Sequence, residues 1–126
     1  MKLKKGNTRM RLILYGTKKD RAEITQTISE IPELSYRKIS IEDYQDYDSF
    51  LSGLGNGCPE CIVIAMDGAE GMEGVIAARN SRRDIPILWF SDDGAFGAQS
   101  YRLGCAYFHQ KPMSPEALLA VTSKCL

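Results

Sequence analysis

The chain carries no net charge. Its 16 Lys and Arg are matched by 16 Asp and Glu over 126 residues, so no strong field draws the molecule as a whole onto DNA, RNA or anionic lipid. The basic residues Lys2, Lys4, Lys5, Arg9 and Arg11 cluster at one end, which reads as a solvated tail over residues 1–10. Long apolar runs are missing as well. The first, Leu12 to Tyr15, is too short for a signal-peptide core or a membrane span, which sets the expectation of a cytoplasmic protein. There is one histidine, His109, and no Ser or Cys elbow to pair with it, which excludes the usual nucleophile-and-base arrangements. No Gly-x-Gly-x-x-Gly or P-loop spacing follows a strand. The expectation is that the chain is not an enzyme and needs no cofactor.

Cysteine is scarce. In a reducing compartment Cys58, Cys61, Cys105 and Cys125 are expected as free thiols or metal ligands rather than a disulfide framework. Cys58-Pro59-Glu60-Cys61 has redox spacing but opens an apolar strand, where no helix dipole lowers a thiol pKa. As a zinc half-site it needs two more ligands. Cys105 and Cys125 fall at the same edge of the expected sheet, so a Cys₄ zinc or thiol protein is one alternative, and small buried cysteines are the leading reading.

What is present is an alternation of strand and helix. Arg11 to Tyr15, Leu34 to Ile39, Cys61 to Met66, Ile85 to Phe90 and Cys105 to Gln110 read as strands. Between them, Ile24, Ile28 and Ile31 mark a helix that Asp20 caps and Pro32 stops. Tyr44, Tyr47, Leu51 and Leu54 mark a second, ended by Gly53, Gly55 and Gly57. Met72, Val75, Ile76 and Arg79 mark a third. Phe96, Ser100 and Leu103 mark a short fourth, closed by Gly104. Ser114-Pro115-Glu116 starts a fifth with an N-cap, an N1 proline and an acid in the first turn, and Leu118, Val121 and Cys125 form its buried stripe. This implies one α/β domain over 11–126: a doubly wound open parallel sheet of five strands. Sites in such folds lie beyond the carboxyl ends of the strands.

Three segments carry a resemblance: Ile85-Pro86-Ile87-Leu88-Trp89-Phe90-Ser91, the run from Tyr101 to Pro112, and Ser114-Pro115-Glu116-Ala117-Leu118. With Gly71-Met72-Glu73-Gly74, they make the chain similar to the receiver domains of two-component response regulators, and somewhat more to those that precede LytTR-type DNA-binding domains. The resemblance implies a flavodoxin-like sheet with the strand order 2-1-3-4-5. In that family an aspartate ending strand three accepts a phosphoryl group. A hydroxyl ending strand four and a lysine ending strand five bind its oxygens, and two acids after strand one hold magnesium. The metal neutralises charge on the phosphoryl group and templates attack.

The resemblance carries Ser91, Lys111, Pro112 and Phe108 onto the hydroxyl, the lysine, the usually cis proline and the switching aromatic. It implies the absence of other parts. Gly16 and Thr17 stand where the acid pair belongs, followed by Lys18 and Lys19. Counting back from Gly74 puts Met66 at the acceptor position, with Asp67 one residue later and Asp92 after Ser91. The expectation is therefore an atypical receiver that signals through protein contacts without normal magnesium-dependent phosphorylation. Lys111 is expected to ion-pair with Asp67 or Asp92. The alternative is a true phosphoacceptor at Asp67 with a rearranged site, and magnesium enters only there. The resemblance also implies a partner face on helix four, strand five and helix five. Here it presents Ala98, Tyr101, Arg102, Tyr107 and His109 to a kinase-like or regulatory protein or to a second copy.

Overall fold

A computed structural model of the chain describes residues 9–30, 38–81, 84–114 and 116–119. The apolar, β-branched runs form β1 (Arg9–Gly16), β2 (Lys38–Tyr44), β3 (Cys61–Ala65), β4 (Ile87–Ser91) and β5 (Tyr107–Gln110). They make one sheet in the order β2-β1-β3-β4-β5, with every neighbouring pair parallel. Parallel neighbours cannot be joined by hairpins, so a crossover must intervene. The crossovers here contain α1 (Lys18–Ser29), α2 (Tyr47–Leu54), α3 (Gly68–Ser81) and α4 (Gly97–Arg102), the last entered through a 3₁₀ turn at Gly94–Phe96. Residues 116–119 are helical. Ser114 caps them, its Oγ accepting from the Ala117 amide at 3.1 Å. The expected fold class and strand order are those observed.

The period of two along β3 sorts its side chains between two cores. Cys61, Val63 and Ala65 pack with Ile24 and Ile28 of α1 and with Ala117 and Leu118. Ile62, Ile64 and Met66 pack with Phe50 and Leu54 of α2 and with Val75 and Ala78 of α3. Every residue of β3 and β4 is buried, as expected of central strands covered on both faces. Fully burying each such large apolar side chain contributes about 1.5–3 kcal/mol. No helix among the described residues is long and apolar enough to cross a membrane.

Several expected boundaries move, for packing reasons. Strand one starts at Arg9, inside the expected tail, because Met10 is buried and pairs with Ile39. Strand two runs from Lys38 to Tyr44. Of the expected run from 34 to 39, residues 34–37 lie outside the described residues, and Tyr44 closes this strand instead of opening helix two. That helix begins after Asp46, whose carboxylate accepts from the Ser49 amide at 2.9 Å. It buries Phe50 and leaves Leu51 39% exposed. α3 turns Gly71, Gly74, Val75 and Ala78 inward, and Ile76 is exposed. Gly74 is required there: a Cβ would stand 2.8 Å from the Tyr15 ring. Ile31, Pro32, Pro115, Val121 and Cys125 lie outside the described residues.

Candidate functional site

The site forms where the carboxyl ends of β1 and β3 meet the chain leaving β4 and β5. Thr17 follows β1 and caps α1: its Oγ accepts from the Asp20 amide at 3.1 Å and donates to the Asp20 carboxylate at 2.6 Å. The expected cap at Asp20 is thus corrected. The N-cap is Thr17, and Asp20 is the acid of the first turn, favoured there by the helix dipole. Asp20 is 8% exposed, so its carboxylate needs a partner.

That partner is Lys111, the first residue after β5. Its Nζ donates to Asp20 Oδ2, to Asp67 Oδ1 at 2.6 Å and to the Ala65 carbonyl at 2.7 Å. An ammonium has three donors, and all are used. The Lys111 and Asp20 side chains are each 12% exposed, and that of Asp67 is 49% exposed. The Lys111 amide donates to the Ser91 carbonyl at 2.7 Å, and the Lys111–Pro112 peptide is cis. Of the two ion pairs expected for Lys111, Asp67 makes one and Asp92 does not. Asp92 instead accepts from the Gly68 amide at 3.0 Å, at the start of α3.

The strand alternation also separates Met66 from Asp67. Met66 continues the parity of Ile62 and Ile64 and is buried with them. Asp67 falls on the other parity, beside Lys111. Gly71 enforces the close approach of α3, since a Cβ there would lie 2.1 Å from the Met66 carbonyl oxygen. Ser91 is buried, and its hydroxyl accepts from the Asp93 amide at 3.1 Å. Phe108 meets Trp89 edge-on at 5.4 Å, and Trp89 stacks on Phe96 at 5.3 Å. An open cleft of about 410 Å³ above Lys111 is lined by Thr17, Asp20, Glu23, Asp67 and Asp92, among others.

The residues present do not fit a magnesium site of the receiver kind. Gly16 and Thr17 replace its acid pair, Asp20 and Asp67 both face an ammonium, and Asp92 is held by a backbone amide. Among the described residues, no three His, Cys, Asp or Glu side chains converge on one cation position.

On the expected partner face, Tyr101 is 87% exposed, and Ala98 and Arg102 are exposed too. Tyr107 and His109 are half-buried on β5, with rings stacked at 6.2 Å. His109 Nδ1 is buried with no partner among the described residues.

The cysteines depart from expectation. Cys61 is disulfide-bonded, while Cys58 and Cys105 carry free thiols. The expectation of free thiols or metal ligands rested on an inferred compartment, which says nothing of geometry. A bridged Cys61 also has no thiolate for a Cys₄ zinc site. Burial pushes the Cys105 thiol up to about 11.

Sequence reasoning missed Asp20 as a site residue. The available signal was the Thr17-x-x-Asp20 spacing, which puts a carboxylate in the first turn after β1, at the same end of the sheet as Lys111.

No family model and no curated protein matches the chain. Solved structures do. A chemotaxis protein CheY4 of Vibrio cholerae superposes with a TM-score of 0.72 at 18% identity, over 94% of this chain and 100% of that one. An orphan response regulator of H. pylori gives 0.71 at 14% identity over 93% and 97%. The pilus assembly protein CpaE of Caulobacter crescentus gives 0.70 at 14% identity over 94% and 95%. With its strand order and crossover helices, the chain has the fold of the CheY-like response-regulator receiver.

Proposed function

We propose that the chain is an atypical receiver: a signalling module that passes information through protein contacts, without magnesium-dependent phosphorylation of an aspartate. One observation carries this reading. The single Lys111 ammonium is already bonded to both carboxylates at the mouth of the sheet, Asp20 and Asp67. Phosphoryl transfer needs cationic groups that can move onto the developing charge. Here the cation is committed to the protein's own acids, and an Asp67 acylphosphate would add negative charge beside Asp20 and Asp92.

The partner in this reading is a kinase-like or regulatory protein, or a second copy of the chain. It docks on the face of α4, β5 and the helix begun at Ser114. Tyr101 anchors the contact, because an exposed Tyr next to Arg102 offers the residue types that dominate interfaces. Nothing in the charge balance favours nucleic acid or membrane as the partner.

A second reading keeps Asp67 as a phosphoacceptor, favoured by its half-exposed carboxylate opening into the cleft. Amide NMR spectra before and after adding magnesium and beryllofluoride, a phosphoryl mimic, separate the two. The atypical receiver gives unchanged spectra. Localised shifts around Asp67, Ser91 and Lys111 would establish the second reading. The partner face is tested by sedimentation and partner capture with Tyr101→Ala. A monomeric protein whose variant keeps all partner binding removes Tyr101 from the interface.

A further inference from the structure

The sequence holds three asparagines: Asn7 before Thr8, Asn56 before Gly57 and Asn80 before Ser81. Only Asn56 is followed by a residue with no side chain to shield its backbone nitrogen. The structure leaves that pair open. α2 ends at Leu54, and Asn56 and Gly57 form an exposed bend beyond it. Gly55 and Gly57 flank the asparagine, and Gly57 has a positive φ of 85°. With no Cβ on either side, the backbone here turns more freely than elsewhere. The Arg11 guanidinium lies against the same bend: a Cβ on Gly57 would stand 3.3 Å from Arg11 Nη1. Asn80 is exposed too, but it is held in the last turn of α3.

We infer that Asn56-Gly57 is a self-modification site: the Asn56 side-chain amide is lost as ammonia through a cyclic imide, which leaves aspartate or isoaspartate at position 56 with its new carboxylate beside Arg11. Asparagine is among the heat-labile residues, and this position removes both barriers to its loss, a neighbouring side chain and a helical backbone. The inference rests on this bend alone and does not depend on the proposed function.

The co-reactant is water. The Gly57 backbone nitrogen gives up its proton and attacks Asn56 Cγ. The new N–Cγ bond closes a five-membered imide, the Cγ–Nδ2 bond breaks, and Nδ2 leaves as ammonia with that proton. Water then adds to one of the two imide carbonyls. Opening at Cγ gives ordinary aspartate. Opening at the main-chain carbonyl gives isoaspartate, in which the backbone runs through Cγ and gains one methylene. No electrons are exchanged. Either product adds one negative charge to a chain whose formal net charge is zero. That charge competes with Glu42, the present partner of Arg11 at 2.6 Å.

The test incubates the full chain in mildly alkaline buffer made with heavy-oxygen water. Digestion follows at mildly acidic pH, where ring closure is slow, and the peptides are mapped by mass spectrometry with electron-transfer fragmentation. Aspartate and isoaspartate should both appear at position 56, each with one heavy oxygen. Conversion should be at least about tenfold faster than at Asn80, whose helix must open first. Conversion at Asn80 that matches or exceeds Asn56, or aspartate at position 56 without isoaspartate, would overturn the inference. Asn56→Gln keeps the amide but would need a larger ring, and it should stay unconverted with an unchanged melting temperature. Conversion of that glutamine at the rate of Asn56 would remove the imide. The converted protein and Asn56→Asp should both shift the Arg11 Nε NMR signal and leave that of Arg79 in place. An Arg11 signal that moves in neither would refute the placement of the new charge.

Discussion

Lys111 and Asp20 lie 91 positions apart in the chain, and the ammonium of one is held on the carboxylate of the other. The pair joins the exit of the last strand to the first turn of the first helix, across the mouth of the sheet. Both side chains are nearly buried, so neither charge can be left alone without cost. Lys111→Met is expected to destabilise the protein by about 3 kcal/mol, since it strips Asp20 of its cation and the Ala65 carbonyl of its donor. In the double variant Asp20→Asn/Lys111→Met, part of that loss should return, giving a coupling energy of about 1–3 kcal/mol. Urea unfolding of the four proteins in the cycle measures it. Additive losses would mean that the two residues act independently.

Two glycines of one helix should respond differently to alanine. At Gly71 a Cβ would meet the Met66 carbonyl oxygen at 2.1 Å, and a backbone atom cannot swing away. Gly68 has a positive φ of 61° but no atom within 4 Å of a built Cβ. Gly68→Ala is therefore expected to cost about 1 kcal/mol of backbone strain. Gly71→Ala is expected to cost about 3 kcal/mol from overpacking and to shift the NMR signals of Asp67 and Lys111. Thermal unfolding ranks them, and the reverse order would contradict the packing.

The free thiols should be distinguishable by rate. Cys58 is exposed. Cys105 is half-buried, with its thiol pushed up to about 11, and the thiolate is the reacting species. At pH 8, iodoacetamide is expected to label Cys58 at least about a hundredfold faster than Cys105, since Cys58 is open to solvent and the raised pKa leaves Cys105 little thiolate. Mass spectrometry over a time course checks this. Equal rates would mean that Cys105 is open to solvent.

Arg11 and Glu42 join β1 to β2 through two hydrogen bonds, at 2.6 and 2.9 Å. The Arg11 guanidinium holds the Glu42 carboxyl below its ordinary value. A carboxyl depressed in the folded state contributes stability above its unfolded pKa and loses it as the pH falls through the folded value. Glu42→Gln should therefore lower stability by at most about 1 kcal/mol at neutral pH. The gap from the parent protein should close below the usual carboxylate range. Unfolding free energies between pH 7 and about 3 follow it. A gap that does not change with pH would point to lost packing and not lost charge.

Tyr101 projects from α4 with 87% of its surface exposed. Replacing it by Ala should move stability by no more than about 0.5 kcal/mol, so any lost association reflects the surface itself and not the fold. Paired melting and sedimentation runs make the comparison, and a large drop in melting temperature would give Tyr101 a structural role.

The alternation of apolar runs with helical stripes was enough to specify the fold class and the crossover pattern. The strand order came from the receiver resemblance, since the same alternation also suits a 3-2-1-4-5 sheet. The position of Lys111 at the end of β5, and of a small hydroxyl at the end of β4, was equally legible, because local motifs carry them. Their bonds were not. Period two places Met66 and Asp67 on opposite parities once the strand is known, but only the packed sheet shows that Asp67 reaches Lys111 while Asp92 turns to the Gly68 amide. Asp20 looked like a helix cap because its role depends on a residue 91 positions away. Local sequence determines which elements form and which faces they bury. Which charges meet is decided by tertiary packing, because a contact between distant segments has no period to leave in the chain.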